Sequence, residues 1–378
     1  MSDPRKTHKS TLSQAGRDRR RFLGGTALAA VGTSAAALTR ALPVEAASGR
    51  TPLPAECPSV PTPMKDVEGK VAFITGGDSG IGLGIARAFA DAGMKVVITY
   101  RTKKHLDRAM RLLAGAGDRV HAISLDVTDR AAMERAAQET ERVFTKVHVI
   151  VNNAGVGIFG GLSKATYDDW DWGMGVNVTG VFNGIRTFLP RIQAHGEGGQ
   201  LIATSSVAGL IAHGGAGVYS TSKFAVVGMM EALRNELADT DIGVTVFCPG
   251  LVNTDIGDSS RNRPTSLADS GFKPDPRAMA RMREQMKHMR RGPPPGMDPL
   301  DAGRRVLSAM RNNDLYVLTT PALEPEIAAR GEAIVASIPT DVHPPAERVA
   351  MQKMIAGKTV YATVRDRQRC MRARGRKV

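Results

Sequence analysis

The sequence predicts an α/β fold: a doubly wound parallel sheet with helices on both faces, followed by a C-terminal helical extension. Three observations carry this. Short apolar runs alternate with stretches of helical spacing along most of the 378 residues, the pattern of strand–helix–strand units paired in parallel through right-handed crossovers. Glycines and capping residues stand at the junctions. No apolar run reaches the roughly 18 residues that would make it a membrane span.

In order, residues 70–75 are a short apolar run after a polar turn and are predicted as the first strand. Helical spacing follows over 80–91 (Ile81, Ile85, Ala86, Phe89) until Gly93 stops it. Residues 96–100 form the second strand. Residues 103–114 form a helix ended by Gly115 and Gly117, and 121–125 the third strand. Asp129 caps a helix running to about residue 144, and 147–151 form the fourth strand. One long helical segment covers 167–192. A strand at 200–204, a helix over 217–238, a strand over 244–248 closed by Pro249-Gly250, a helix over 299–310 and a strand over 315–319 complete the sheet. Added helices are expected over 324–337 and 345–355.

Such sheets bind ligands beyond the carboxyl ends of their strands. Thr75-Gly76-Gly77-Asp78-Ser79-Gly80-Ile81-Gly82 joins the first strand to the first helix. Its glycines let the backbone turn tightly and approach a pyrophosphate, while the helix N-terminus presents N–H groups and a positive dipole end. Farther along, Tyr219 and Lys223 stand at i and i+4 and share one helix face. A free tyrosine, with a pKa near 10, shuttles protons poorly at neutral pH. A nearby ammonium stabilises its phenolate.

The spacing T-G-x-x-x-G-x-G resembles the short-chain dehydrogenase/reductase family, a Rossmann-type fold, and further segments fall in that family's order. The resemblance runs from about residue 65 to 255, with weaker continuation to about 320. It implies that Asp126 and Val127 contact the adenine. It implies that Asn152-Asn153-Ala154-Gly155 is the family's N-N-A-G signature. Pro249-Gly250-Leu251-Val252-Asn253-Thr254 would face the nicotinamide side. The implied nucleotide-binding set is therefore Thr75, Gly76, Ser79, Gly80, Ile81, Gly82, Tyr100, Arg101, Asp126, Val127, Asn153, Ala154, Gly155, Pro249, Gly250, Val252 and Thr254, with Tyr219 and Lys223. NAD enzymes usually end the second strand with Asp. Here Tyr100 holds that place, followed by Arg101, with Lys103 and Lys104 near. Basic groups and a missing carboxylate suit a 2′-phosphate, so NADP is preferred and NAD is the alternative. Asp78-Ser79 points the other way, because many NADP enzymes carry a basic residue there.

The same resemblance implies a catalytic set of Asn177, Ser206, Tyr219 and Lys223. Ser206 would hydrogen-bond the substrate oxygen and stabilise charge developing there. Ser205 is the adjacent alternative, off by one in spacing. Asn177, in Asn177-Val178-Thr179-Gly180, would hold a water in a proton relay, and Lys223 the nicotinamide ribose. In reduction Tyr219 gives the proton to the carbonyl oxygen; oxidation reverses this. The expected substrate is a small-molecule alcohol or carbonyl compound, a medium or large lipophilic one, covered by a lid at 255–298. There Met279, Met282, Met286 and Met289 recur at 3, 4, 3 spacing as one helical stripe, suiting either an adaptable apolar pocket or a helix packed on the body or a neighbour. Family members commonly assemble as homodimers or homotetramers through the two long helices of the second half. The competing reading is a nucleotide-bound protein without catalysis that acts as an exported binding or assembly partner. The complete four-residue set favours the enzyme. No metal-ligand spacing is present.

Charge and the chain ends complete the reading. Of the formal net charge of +14, residues 1–46 carry +5 and 365–378 carry +6, leaving +3 for the 318 residues between. No basic stripe with interleaved aromatics supports nucleic-acid binding. The basic tail reads as a solvated end. Arg19-Arg20-Arg21-Phe22-Leu23, the mild apolar stretch after it and Val44-Glu45-Ala46 resemble a twin-arginine export signal cut after Ala46. Residues 47–65 read as an extended linker, 66–320 as the catalytic domain and 321–378 as extension and tail. Initiation at Met64 would give a cytoplasmic form instead. Three scattered cysteines, Cys57, Cys248 and Cys370, argue against a disulfide framework.

Overall fold

The structure, a computed structural model of the chain, describes residues 56–271, 277, 295–357 and 359–375. The segment 1–46 with its export pattern and the methionine stripe at 279–289 lie outside the described residues. The strands are β1 (Val71–Ile74), β2 (Lys95–Tyr100), β3 (Val120–Ser124), β4 (Val149–Asn152), β5 (Gly199–Thr204), β6 (Ile242–Cys248) and β7 (Tyr316–Leu318). They form one parallel sheet in the order β3-β2-β1-β4-β5-β6-β7. The helices are α1 (Gly80–Asp91), α2 (Lys103–Leu113), α3 (Arg130–Phe144), α4 (Tyr167–Met174), α5 (Gly180–His195), α6 (Gly217–Glu236), α7 (Pro299–Asn312), α8 (Glu324–Ala336), α9 (Ala346–Ala356) and α10 (Tyr361–Ala373). The doubly wound fold is as the sequence predicts.

Strand side chains alternate between two cores. Phe73, Val97, Ile150 and Val246 pack with Met133 of α3, Phe188 of α5 and Val226 of α6. Ala72, Ile74, Ile98 and Val149 pack on the other face with Phe89 of α1, Leu113 of α2 and Val306 of α7. Burial on both faces explains why these strands read as continuous apolar runs. β1 pairs with β2 on one side and β4 on the other. The strand order therefore reverses beside β1, and a crevice opens there at the carboxyl ends. On the far side α1 and α7 cross at glycines. A Cβ on Gly84 would lie 1.8 Å from Pro299 O, and one on Gly303 would lie 2.2 Å from Gly84 O.

Four expectations are corrected. The helical segment expected over 167–192 is two helices joined by a π turn, Gly175–Thr179, and it runs on to His195 with Pro190 inside. Wide turns of this kind cluster at functional sites, and Asn177 sits in it. The basic tail is not a solvated end as far as residue 375, because residues 361–373 form α10. Asp314 lies beneath that helix and pairs with Arg367 at 2.7 Å, and Arg367 also donates to Asn312 O at 2.7 Å. Cys370 and Met371 are buried beside them.

The cysteine reading is overturned as well. Cys57 and Cys370 form a disulfide with Cα atoms 5.5 Å apart, across 313 residues of sequence. Such a separation leaves no spacing to read. Cys248 is free and buried. Finally, the described part of the linker is docked rather than free: Met64 is fully buried, and Pro61 O accepts from Asn313 Nδ2 at 2.8 Å. Among the described residues no helix is long and apolar enough to cross a membrane.

Candidate active site

The crevice beside β1 begins at the glycine turn. Gly76 and Gly80 adopt φ of +60° and +49°, which only glycine does at no steric cost. A Cβ on Gly82 would lie 2.1 Å from Gly76 O and 2.5 Å from Asn153 Nδ2, so the turn folds tightly onto the end of β4. Thr75 and Asn153 stitch those two strand ends. Thr75 Oγ1 accepts from the N–H groups of Asn153 at 2.9 Å and Ala154 at 3.0 Å. Asn153 Nδ2 donates to Thr75 O at 3.1 Å and Gly76 O at 3.2 Å. The result is a bare backbone cradle at the N-terminus of α1, the shape and polarity that a pyrophosphate requires.

All the site residues predicted from the sequence except Thr75, Gly82 and Asn177 line one continuous groove; those three stand behind it. At one end Arg101 lies 3.6 Å from Asp126 and donates to Asn262 O at 3.4 Å. Asp78 is buried in the glycine turn, 3.8 Å from His105. Burial pushes its carboxyl up, and His105 works against that rise.

At the other end stand Tyr219, Ser206 and Lys223. Tyr219 and Lys223 project from α6. Nζ of Lys223 is buried, donates to Thr204 O at 2.9 Å and sits 5.6 Å from the Tyr219 ring centre. Burial lowers the Lys223 ammonium to about 8. Burial pushes the Tyr219 hydroxyl above its ordinary value, and hydrogen bonding to Ser206 pulls it back down. In the protein alone, then, desolvation outweighs the lowering influence of Ser206. Ser206 opens a short 3-10 turn and faces the groove. Ser205 turns its hydroxyl into the fold, donating to Lys223 O at 2.9 Å; it is a support of α6. Beside them burial pushes the Cys248 thiol up to about 12, so it stays neutral.

Asn177 is fully buried in the π turn. Its Oδ1 accepts from Val156 N at 2.8 Å, and its Nδ2 donates to Val156 O and to Ser222 Oγ, both at 3.0 Å. Ser222 Oγ donates to Tyr219 O at 2.7 Å. A Cβ on Gly155 would stand 3.3 Å from Asn177 Oδ1 and 3.4 Å from Lys223 Nζ, so this glycine keeps the space between the two groups open.

Sequence reading expected a lid at 255–298 but missed the side chains that hold its described part as a strap over this groove. Asn253 and Gly296 are stitched together: Asn253 Nδ2 donates to Gly296 O at 2.7 Å and Gly296 N to Asn253 Oδ1 at 3.1 Å. Within the strap Ser259 is buried. Its Oγ accepts from Gly157 N at 2.8 Å and donates to Ile256 O at 2.7 Å. Farther on, Arg263 pairs with buried Asp169 of α4 at 2.6 Å, lies 5.0 Å over the Trp172 ring and donates to Leu267 O and Asp269 O. Thr166 and Asp169 form a reciprocal capping box, the one signal here that T-x-x-D spacing could have revealed. A lone serine in an aperiodic loop carries no signal.

Beyond Tyr219 the groove opens into a wall of Phe159, Val207, Leu251, Ile256, Pro295, Met297 and Leu323, with Thr319 and Thr320. Among the described residues no charged side chain lines it. The Phe159 and Tyr219 rings are 6.5 Å apart and tilted by 30°. Away from the groove, His148, His195 and Glu197 bring ligand-type atoms within 4.8 Å of one another. Lys146, His148 and Lys70 hold the Glu197 carboxyl well below its usual range; these side chains form an ion-pair network.

The family profile described as short chain dehydrogenase matches residues 70–265. The chain belongs to the short-chain dehydrogenase/reductase family. Among its relatives is the C alpha-dehydrogenase of Sphingobium sp. (strain NBRC 103272 / SYK-6), 36% identical over 78% of this chain and 94% of that protein. Another is the NADP-dependent (R)-specific alcohol dehydrogenase of Lentilactobacillus kefiri, 36% identical over 51% of this chain and 77% of that protein. A short-chain dehydrogenase/reductase from Burkholderia phymatum, solved in complex with NAD, superposes with a TM-score of 0.65 at 34% identity, covering 74% of this chain and 99% of that one. This short-chain dehydrogenase/reductase is therefore an NAD(P)-dependent oxidoreductase.

Proposed function

We propose that this enzyme interconverts a lipophilic alcohol and its ketone or aldehyde, with Tyr219 as acid/base. The observation that carries the reading is Tyr219, sharing the groove with Ser206 and standing with its ring centre 5.6 Å from buried Lys223 Nζ, at the junction between the nucleotide groove and an uncharged pocket. The glycine cradle fits a dinucleotide, since Gly76 and Gly80 line it without side chains and at positive φ, and a Cβ on Gly82 behind it would collide with Gly76 O. The nicotinamide, when bound, supplies or accepts a hydride. The chain's own residues do the rest. Ser206 and Tyr219 hold the substrate oxygen, and Tyr219 gives it a proton in reduction or takes one in oxidation. Lys223 brings an ammonium, lowered to about 8, beneath the ring; a cation there favours the phenolate. Asn177 braces Val156 and, through Ser222, the Tyr219 backbone.

NADP is the preferred nucleotide and NAD the alternative. Tyr100 offers no carboxylate at the end of β2, and Arg101 lies across the groove at that point. Asp78, which counts against a phosphate, is buried 3.8 Å from His105; burial raises its carboxyl and His105 works against that rise. A homodimer or homotetramer remains the expected assembly.

The enzyme is exported on its twin-arginine-type signal and carries its nucleotide tightly bound. The Cys57–Cys370 disulfide supports this, because such bonds persist in oxidising compartments. A form initiated at Met64 would lack Cys57 altogether.

Tyr219→Phe tests the chemistry. Turnover of alcohols and ketones, followed by nicotinamide absorbance, should fall by roughly 10²–10⁴-fold while nucleotide affinity holds; near-normal turnover refutes the assignment. N-terminal sequencing of the native protein tests export: a chain beginning at Ala47 is expected, and one beginning at Met64 refutes it.

A further inference from the structure

Among the described residues, the C-terminal extension carries an apolar surface that the body leaves uncovered. α8 and α9 contain no buried residue. Seven of the eighteen exposed large apolar side chains among the described residues lie within 22 residues of this extension: Ile334, Val335, Ile338, Val342, Met351, Met354 and Ile355, each 55–76% exposed. The spacing orders them. Ile334 and Ile338 stand at i and i+4, and Met351, Met354 and Ile355 at i, i+3 and i+4, so each group shares one helix face. Single exposed apolar residues are ordinary, but a concentration of this size on a monomer marks an interaction site. Helices of 13 and 11 residues are also too short to be stable in water without packing.

We propose that this arm is a self-association surface whose occupant is a second copy of the chain. Two observations select that occupant. The seven side chains expose roughly 800 Å², which is what one partner contributes to a standard protein–protein interface. Charge is also complementary within the chain. α8 carries Glu324, Glu326 and Glu332 against Arg330, while α10 exposes Arg365, Arg369 and Arg372. In a two-fold arrangement the acidic arm of one copy can face the basic helix of the other. A lipid surface fits less well. Membrane-surface helices pair Trp, Phe or Leu with a Lys/Arg-rich face, whereas α8 and α9 carry four acids against three bases and neither Trp nor Phe. The arm is rooted in the body at α6, where Arg330 lies 5.0 Å over the Phe224 ring. This interface is additional to any contact through the long helices of the second half.

Sedimentation of the full chain against a Val335→Asp, Met354→Glu, Ile355→Asp variant tests the proposal. The wild type should sediment as an oligomer. The variant should show half that mass at micromolar concentration, its self-association weakened by about 100-fold or more, with melting temperature and nucleotide binding unchanged. A monomeric wild type, or an unchanged mass in the variant, overturns it. As a second measurement, amides over 324–356 in the wild type should exchange faster on dilution through the association range. Exchange independent of concentration overturns the proposal, as does a wild-type monomer retained on phosphatidylglycerol vesicles.

Discussion

Replacing Ser259 with alanine should loosen the strap over the nucleotide groove. In the wild type Ser259 Oγ is the acceptor for Gly157 N–H at 2.8 Å, and both residues are buried. The alanine leaves that N–H without an acceptor, at a cost of about 1–3 kcal/mol. The other bond, to Ile256 O, is replaced by water because Ile256 is 38% exposed. If the cost falls on the closed strap alone, the open population rises by about 5- to 150-fold, and nucleotide dissociation accelerates by the same factor. Stopped-flow displacement of bound reduced nucleotide, followed by its fluorescence, measures this directly. Gly157 adjoins Val156, which Asn177 braces, and Asn177 leads through Ser222 to Tyr219; a smaller fall in turnover should accompany the faster release. A dissociation rate within twofold of wild type, in a variant with an unchanged melting temperature, would refute the assignment of Ser259 as the strap's anchor.

Gly82→Ala places a Cβ 2.1 Å from Gly76 O and 2.5 Å from Asn153 Nδ2. Nucleotide affinity should fall by at least about 100-fold, as expected when preorganised backbone donors are displaced; calorimetric titration reads it. Asp169→Asn leaves the Arg263 guanidinium buried without its carboxylate, lowering stability by about 3 kcal/mol in urea unfolding at pH 7. That difference should depend on pH. Burial alone would raise the Asp169 carboxyl, but Arg263 and the N–H groups of Gly271 and Thr166 hold it below its usual 3.8. The pair's contribution is therefore fully present above 3.8 and is lost as pH falls through the lower folded value, so variant and wild type should converge in strong acid. Cys370→Ser releases a bridge across 313 residues. It should cost about 2–5 kcal/mol, and dithiothreitol should reproduce the loss in the wild type but add nothing in the variant.

What the sequence by itself determined was whatever the chain specifies over short range. Apolar runs placed the strands to within about three residues. The glycine turn, the Asp129 cap and the Tyr219–Lys223 pair lie within a turn or two of chain, where backbone sterics and helical pitch decide which atoms can meet. The order of those motifs around the sheet then brought most of the site to one crevice, because parallel strands put all their carboxyl ends together. Only the tertiary structure decided the rest. Cys57 meets Cys370, Ser259 meets Gly157, Arg263 meets Asp169 and Arg101 meets Asn262 across separations of 313, 102, 94 and 161 residues. Ser205 donates to Lys223 O across 18 residues, a contact that only the folded path supplies. None of these pairings leaves a periodicity or a spacing, because each depends on where the folded path returns the chain, and many paths are compatible with the same local pattern.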